Sequence, residues 1–410
     1  MNQRRSKSVC PSVHTLPALT LAVGLAVCAS SARAQPFDFV NITDMPGGPG
    51  SGKFPSINDN GDVAFESGFE IYFFDRSENT FVNLMTLPGA PATAWAPRLN
   101  INGDVLMMNN ATRDLWLYLA DSQTFTNISA QPGYPGNTQA NGTTTVFDLN
   151  NARQVSFHSG DNNFGDIHIY DHAAGAFLQV TSRPGAPSSG RDNKINNIGQ
   201  VAYGSVGIFG APVFVYDIGA DTTTNINFLP GGPGAGFGPL SFSDSGGVAL
   251  MLDGGADPVI YDATTSSFLS LATIPGFPAG SGASFFDDLN AEGDFTFWRT
   301  NIHHFDADTE TFTQLTDIPG ETPAGGMHSS INNNGVIAFT AGLIGAEDIF
   351  LAIPPCPSDI SGDGVTDTAD LGLLLGVFGT SDVGADINGD GAVDTADLGA
   401  LLGEFGSVCP

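Results

Sequence analysis

The sequence predicts an all-β fold, a seven-bladed β-propeller of four-stranded blades, followed by a small α-helical domain at the C-terminus. Three observations carry this. A unit of 42 to 52 residues recurs between Gln35 and Ile353. Its first and last copies are incomplete and complement each other. A twelve-residue acidic loop, DISGDGVTDTAD from Asp359 to Asp370, returns 27 positions later as DINGDGAVDTAD from Asp386 to Asp397.

The chain opens with a leader, assigned to residues 1–34. Arg4, Arg5 and Lys7 form a positive start, Leu16 to Val27 a short apolar stretch, and Ala32-Arg33-Ala34 a small-residue cleavage site before Gln35, the pattern of a secretory signal peptide. Lipidation at Cys28 is disfavoured by the bulk of Val27 before it. Removing the leader leaves nine basic residues against 43 acidic ones, a net charge of −34. Nucleic acid is excluded as a partner, because a polyanion needs a basic footprint. The acidity suits a soluble protein in a calcium-rich extracellular setting. No later stretch is apolar for the roughly 18 residues of a membrane helix, so no membrane span is expected.

The ring comes next, assigned to residues 35–353. One half of each unit is an Asn/Gly turn followed by an apolar run: INDNGDVAF at Ile57, LNINGDVLM at Leu99, LNNARQVSF at Leu149, INNIGQVAY at Ile195, FSDSGGVAL at Phe242, LNAEGDFTF at Leu289 and INNNGVIAF at Ile331. The other half is a pair of alternating segments ending in Pro-Gly, such as IYFFDRSENTFVNLMTLPG from Ile71 and IYDATTSSFLSLATIPG from Ile260. Alternation between turn-forming clusters signals half-buried strands. Each unit thus holds strand A before the Asn/Gly turn, B after it, C ending at an aromatic-Asp pair, and D ending at Pro-Gly. Four strands about every 45 residues is the period of a propeller blade. The segment FDFVNITDMPG from Phe37 is a lone strand D, while the unit from Ser329 to Ile353 supplies A, B and C and then stops. Pairing the two completes a seventh blade and removes the open edge that a linear array would leave.

These units resemble the WD40-like repeats of TolB-type propellers, whose blades also join a turn and a "VAF" strand to an "IY-x-x-D" strand. Here Asn-x-x-Gly stands where those repeats carry Ser-Pro-Asp-Gly.

Antiparallel order puts the A–B and C–D turns on one face and the longer B–C and D–A connections on the other. The second face carries Trp95, Tyr134, Phe164, Phe237 and Phe277. It also carries Lys53, Arg98, Arg113, Arg183, Arg191, Lys194 and Arg299, seven of the nine basic residues left after the leader. Aromatics beside cations suit a carbohydrate or an acidic glycan. Catalytic signatures are absent: there is no G-x-S-x-G, no H-E-x-x-H and no phosphate-cradling loop. His303 and His304 are neighbours on a strand and point to opposite faces. Asp287-Asp288 offers either one carboxylate of a glycosidase pair or ordinary turn chemistry. His158, His168, His172 and His328 lack the spacing of a zinc site.

The tail, assigned to residues 354–410, holds the duplicated loop. A flexible oxygen cage for calcium needs side-chain oxygens at loop positions 1, 3, 5, 9 and 12, a carbonyl at 7 and glycine at 6. The first copy offers Asp359, Ser361, Asp363, the Val365 carbonyl, Asp367 and Asp370, turning at Gly364. The second offers Asp386, Asn388, Asp390, the Ala392 carbonyl, Asp394 and Asp397, turning at Gly391. Two Ca²⁺ ions are expected. Apolar residues at i, i+3, i+4 and i+7 follow each loop, namely Leu371, Leu374, Leu375 and Phe378, then Leu398, Leu401, Leu402 and Phe405, so each loop feeds one amphipathic helix. Gly379 and Gly406 are placed to end them. Prolines before the first loop and a short Gly/Ser/Asp stretch before the second leave no room for an entering helix. Cys356 and Cys409 bracket the unit, and an even pair in an oxidising compartment most simply forms one clasp, contributing about 4 kcal/mol in the chain-entropy account.

Segment 356–410 resembles a type I dockerin in its two loop-then-helix units, in Asp at position 12 and in length. With its terminal cysteines it resembles the GC-type dockerin anchors of bacterial secreted proteins, with Val408 where those carry glycine. The resemblance implies a cohesin-like or cell-surface anchoring partner, facing positions 10 and 11 of each loop: Thr368, Ala369, Thr395 and Ala396. Their identity in the two copies would permit two binding orientations.

Two functions compete. One is a secreted, non-catalytic binding or structural propeller, extracellular or surface-attached through its tail. The other is a dockerin-bearing polysaccharide-degrading enzyme, a glycoside hydrolase or lyase on a propeller. The regularity of the repeats favours the first, since no unit carries a long insertion.

Overall fold

The computed structural model describes residues 37–409 apart from 137–146, 161–164, 206–211, 235–236, 252–257, 279–287, 317, 319–325, 344–345 and 408. The leader, Gln35, Phe164, Asp287 and Val408 lie outside the described residues.

The described residues form seven four-stranded antiparallel blades. In the order A to D, blade 1 is Lys53–Ile57, Val63–Ser67, Glu70–Asp75 and Thr80–Asn83; blade 2 is Trp95–Leu99, Val105–Met108, Leu115–Leu119 and Thr124–Asn127. Blade 3 is Phe147–Leu149, Gln154–Gly160, Gly165–Asp171 and Ala176–Gln179; blade 4 is Gly190–Ile195, Gln200–Ser205, Val213–Asp217 and Thr222–Asn225. Blade 5 is Phe237–Phe242, Val248–Met251, Pro258–Asp262 and Ser267–Ser270; blade 6 is Asp288–Leu289, Phe295–Trp298, Ile302–Asp306 and Thr311–Gln314. Blade 7 takes A, B and C from Ser329–Ile331, Ile337–Leu343 and Ala346–Ile353, and its D strand from the other end of the ring, Asp38–Asn41. The closing register runs from Asp38 opposite Ile353 to Asn41 opposite Phe350. Strand A of every blade packs against strand A of the next, blade 7 against blade 1 included, so the ring is closed around an axis lined by the A strands.

The core is divided by seam rather than by blade. Seven apolar clusters each combine residues of two adjacent blades, as Ala64, Ile71 and Leu84 of blade 1 join Leu99, Val105 and Met107 of blade 2. Alternating strand residues face the two neighbouring seams, so burying either face of a blade requires its neighbour. Close approach is enforced at Gly190, where a single bridge to Gly165 joins blades 3 and 4 edge to edge. A Cβ there would come within 2.6 Å of Ile167 and 2.9 Å of Tyr203.

Strand D does not reach Pro-Gly as the sequence pattern suggests. In blades 1 to 5 it ends after four residues in a 3₁₀ turn, beginning at Leu84, Ile128, Val180, Ile226 and Leu271. The first residue of each turn is buried in the seam to the next blade. In blades 1 and 2 the preceding Asn83 and Asn127 cap the turn through their side chains. The turn lets an apolar plug drop out of the strand's alternation and into the seam.

The tail holds α1, Thr368–Gly376, and α2, Thr395–Gly403. Each begins in a reciprocal capping box, Asp367 with Asp370 and Asp394 with Asp397, which satisfies the first free amides of the helix. Each ends three residues before the predicted glycine stop. The apolar stripe is not buried as a unit either. Leu374 and Leu401 are fully buried with Ala385 and Val393, whereas Leu375, Phe378, Leu402 and Phe405 are exposed. Nine-residue helices offer the core little more than one turn each, so the stripe outruns it. Cys356 and Cys409 are disulfide-bonded.

Candidate functional site

At the axis, the seven Asn/Gly turns meet. Asn58 Nδ2 donates to the Asn100 carbonyl at 3.1 Å, Asn100 to Asn150 at 3.3 Å, Asn150 to Asn196 at 3.1 Å and Asn196 to Ser243 at 3.1 Å. Asn290 then donates to Asn332 at 3.3 Å, and Asn332 closes the circuit on Asn58 at 2.9 Å. Serine at 243 breaks the series between blades 5 and 6. The same asparagines hold their own turns through Oδ1, as Asn58 accepts the Asn60 and Asp62 amides at 3.0 Å. These side chains therefore fasten blade to blade, a task beyond turn geometry. They rim a cavity of about 120 Å³ with a floor of Ile57, Leu99, Leu149, Phe242, Leu289 and Ile331. Its two carboxylates are engaged: Asp59 by Asn333 Nδ2 at 3.0 Å and Asp244 by Asn197 Nδ2 at 2.8 Å. This end of the channel is a seal.

One layer further in, a second circuit uses the residue two before each turn asparagine or serine. Ser56 accepts the Leu99 amide, Asp148 the Ile195 amide, Ser241 the Leu289 amide, Asp288 the Ile331 amide and Ser330 the Ile57 amide, at 2.9 to 3.3 Å. Asp288 also accepts from Ser241 and Ser330, so it is a latch between blades rather than turn chemistry. The two remaining positions are Arg98 and Lys194, and both act on Asp148. Arg98 Nε lies 3.7 Å from its carboxylate. Burial raises the Asp148 pKa, against the opposing pull of Lys194 and Arg98.

Beyond this layer is the mouth on the B–C and D–A face. Lys53 Nζ sits 3.3 Å from Glu66 Oε1 and within 5.7 Å of the Phe54 and Phe69 ring centres. Phe54 lies 4.0 Å from the His328 ring and 6.1 Å from Trp95, and the Arg113 guanidinium is 5.5 Å from the Trp95 ring. Burial raises the Glu66 pKa despite Lys53 and the backbone amides of Ala96 and Phe69. His328 is lowered to about 3 by burial, then by Arg98 and Lys53.

The structure disperses other residues of this face. Tyr134 stacks on Phe157 at 5.8 Å and Phe277 on Phe297 at 5.9 Å, each bridging to the next blade. Arg299 covers Phe277 at 4.5 Å. Arg183 lies 3.7 Å from Asp221, and Arg191 bonds Asp192. Among the described residues these are seam and surface contacts, not a continuous aromatic platform. His303 and His304 pair with Phe297 and Thr296 respectively, on opposite faces of the blade.

Glu66, Asp148 and the central place of His328 escaped the sequence reading. A column-by-column comparison of the repeats carries the signal. Glu66 stands where the other B strands have Met108, His158, Gly204, Met251, Trp298 and Thr340, and Arg98 and Lys194 stand among serines and aspartates.

In the tail, Asp359 accepts the Gly362, Asp363 and Gly364 amides at 2.8 to 3.1 Å, and Asp386 accepts those of Asp390 and Gly391. Asp370 and Asp397 are buried and receive the Ser361 and Asn388 amides. Gly364 and Gly391 hold φ of +89° and +94°, the left-handed turn that glycine alone adopts freely. Ser361 bonds Asp359, and Asn388 bonds Asp390. Asp363 and Asp390 accept the Val365 and Ala392 amides, and Asp367 and Asp394 cap the helices. The donor kinds and the turn fit a hard oxygen-loving cation. The carboxylates themselves rest on loop amides, and among the described residues no three His, Cys, Asp or Glu side chains converge as a metal centre. Thr368, Ala369, Thr395 and Ala396 are all exposed. Among the described residues no helix is long and apolar enough to cross a membrane.

No known protein family matches the sequence, and no curated protein matches it. Solved structures do. Virginiamycin B lyase from Staphylococcus aureus superposes with a TM-score of 0.51 at 11% identity, over 77% of this chain and 99% of that one. Oligogalacturonate lyase from Vibrio parahaemolyticus gives 0.50 at 11%, over 78% and 94%. The WD40 repeats of RRP9 give 0.50 at 9%, over 77% and 97%. At such identities the likeness is one of fold: the chain is a propeller.

Proposed function

We propose that this protein is a secreted, non-catalytic binding ring, carried into a larger extracellular assembly by a calcium-dependent, dockerin-like tail. The observation that supports it most is the internal symmetry of that tail. In both loops glycine turns at position 6, the position-12 carboxylate is buried in a capping box, and the Thr-Ala pair at positions 10 and 11 is exposed. Calcium would be held by Asp359, Ser361, Asp363, Val365, Asp367 and Asp370, and by Asp386, Asn388, Asp390, Ala392, Asp394 and Asp397. Ten carboxylates and no basic residue lie in 356–410, so metal binding and folding of the tail would be one process. A cohesin-like protein would meet Thr368-Ala369 or Thr395-Ala396. Calcium calorimetry on the full mature chain tests the reading. Two ions per chain, lost in chelator, support it; fewer than two overturn the assignment of the tail.

A second reading, a polysaccharide-degrading hydrolase or lyase, draws on Glu66 at the mouth and Asp148 in the layer beneath it, two carboxylates raised by burial, a common trait of catalytic acids. A reducing-end assay on the purified ring separates the two readings.

A further inference from the structure

Among the described residues, eleven non-glycine residues hold a left-handed backbone. Asn79, Gln123, Asp221, Ser266 and Glu310 close C–D turns, and Arg153 stands in an A–B turn. The other five lie at the mouth opposite the asparagine seal: Phe54, Ala96 and Asp192 in strands A, Phe69 and Arg113 in the B–C turns of blades 1 and 2. For bulky residues this conformation is an outlier, and such strain gathers where surrounding structure over-determines a site. Phe54, Ala96 and Asp192 coincide with register shifts in their strands, a bulge device that re-aims side chains.

What the strain positions is specific. Lys53 Nζ meets Glu66 Oε1 at 3.3 Å, and both Glu66 oxygens are otherwise buried without a hydrogen-bond partner. Phe69, at φ +67°, follows Gly68 at +62° in a tight hairpin turn that favours Asn or Gly. It instead presents an aromatic residue that is 46% exposed. Lys53 Nζ lies 5.7 Å from that ring, on a side chain 40% exposed. An exposed aromatic face beside a cation is the recognition chemistry of a pyranose bearing a negative charge: the ring stacks on the sugar and the ammonium meets its acid group.

We propose that the mouth around Phe69 and Lys53 binds an anionic pyranose, a carboxylated or sulfated sugar unit of an extracellular glycan. This rests on the reading of the ring as a binder and names its ligand class. On a chain otherwise so acidic, only a local cationic patch can hold such a sugar against the field of the whole protein.

The test titrates the full mature chain with tri-galacturonate, with a sulfated galactan trisaccharide and with neutral galactotriose, assaying new reducing ends alongside. Binding of at least one acidic probe about tenfold tighter than galactotriose is expected, with the better acidic probe identifying the source. Phe69→Gly suits the positive φ and removes only the ring, and should weaken that binding about tenfold. Lys53→Met should bring acidic and neutral probes to equal affinity. No binding, equal affinity for all three, or unchanged binding in Phe69→Gly overturns the site. New reducing ends with binding intact would leave the site standing and remove the non-catalytic reading. The calcium titration of the tail is unaffected by any of these results.

Discussion

Arg153 Nε donates to Asp104 Oδ2 at 2.8 Å across the seam between blades 2 and 3, from a turn position that is glycine in the other six blades. Arg153 keeps the left-handed backbone of those glycines, at φ +59°. Its Nη2 also reaches Asp104 Oδ1 and Asp121 Oδ2 at 3.1 and 2.8 Å. Left-handed strain costs about 1 to 2 kcal/mol, while stripping the partner from a buried carboxylate costs about 3 to 5 kcal/mol. Asp104 is fully buried. Arg153→Gly, although it restores the repeat consensus, should therefore destabilise the ring by about 2 kcal/mol, read as a lower urea midpoint. A raised midpoint would mean that strain dominates.

Ser243→Asn should do the opposite. It would give blade 5 the side chain that four consecutive blades before it use to reach the next turn, here the Asn290 carbonyl. One added hydrogen bond between blades is worth about 1 kcal/mol. The melting temperature should rise, and a fall would show that the seam between blades 5 and 6 cannot accept the amide.

Acid should loosen the ring before its carboxylates protonate. Burial lowers the pKa of His168, His303, His304 and His328, with His303 at about 4 and His328 at about 3. A histidine near 6.5 when unfolded and lower when folded is neutral in both states at high pH. Below about 6.5 the unfolded chain takes up protons first, so stability falls with pH by about 1.4 kcal/mol per unit for each such group. Glu66 and Asp148, raised by burial, work the other way but are two groups against four. Chemical denaturation should give a plateau above neutrality and a decline towards about pH 4. His328→Gln should flatten that decline, and an unchanged slope would remove His328 from it.

Much of this ring was legible in the sequence, and for a definite reason. Blade number and closure follow from spacing, because a lone strand at Phe37 and an unfinished unit at Ile353 have one way to hide both edges. The cysteine pair followed from parity and from the compartment that the sequence leads one to expect. The early end of strand D was not legible, since Leu84 and Ile128 fit a strand pattern and a 3₁₀ plug equally well. Nor was the exposure of Leu375, Phe378, Leu402 and Phe405, as a helical stripe records which residues share a face and not whether anything covers it. Glu66 was hidden inside an apolar strand, where only the seven-fold comparison exposes it as foreign.

Removing the N-terminal strand should open the ring. Deleting residues 35–45 strips strand D from blade 7 and bares the edge from Phe350 to Ile353, an aggregation template. Sedimentation should reveal oligomers and calorimetry a large fall in melting temperature; an unchanged melting curve would show that this strand is dispensable.

In the tail, Asp390→Ala removes one oxygen donor from the second loop and leaves the first intact. Calorimetry on the full chain should then count one calcium ion instead of two. Retention of both would exclude Asp390 as a ligand.

The way the ring is closed also decides how it answers to force. The chain leaves the propeller at Ile353, the end of a strand flanked on one side by Ile337–Leu343 and on the other by Asp38–Asn41. A pull transmitted from beyond Ile353 is thus shared by two ladders loaded side by side, one of them built from the opposite terminus of the ring. The first strand of the ring serves as the splint for its last.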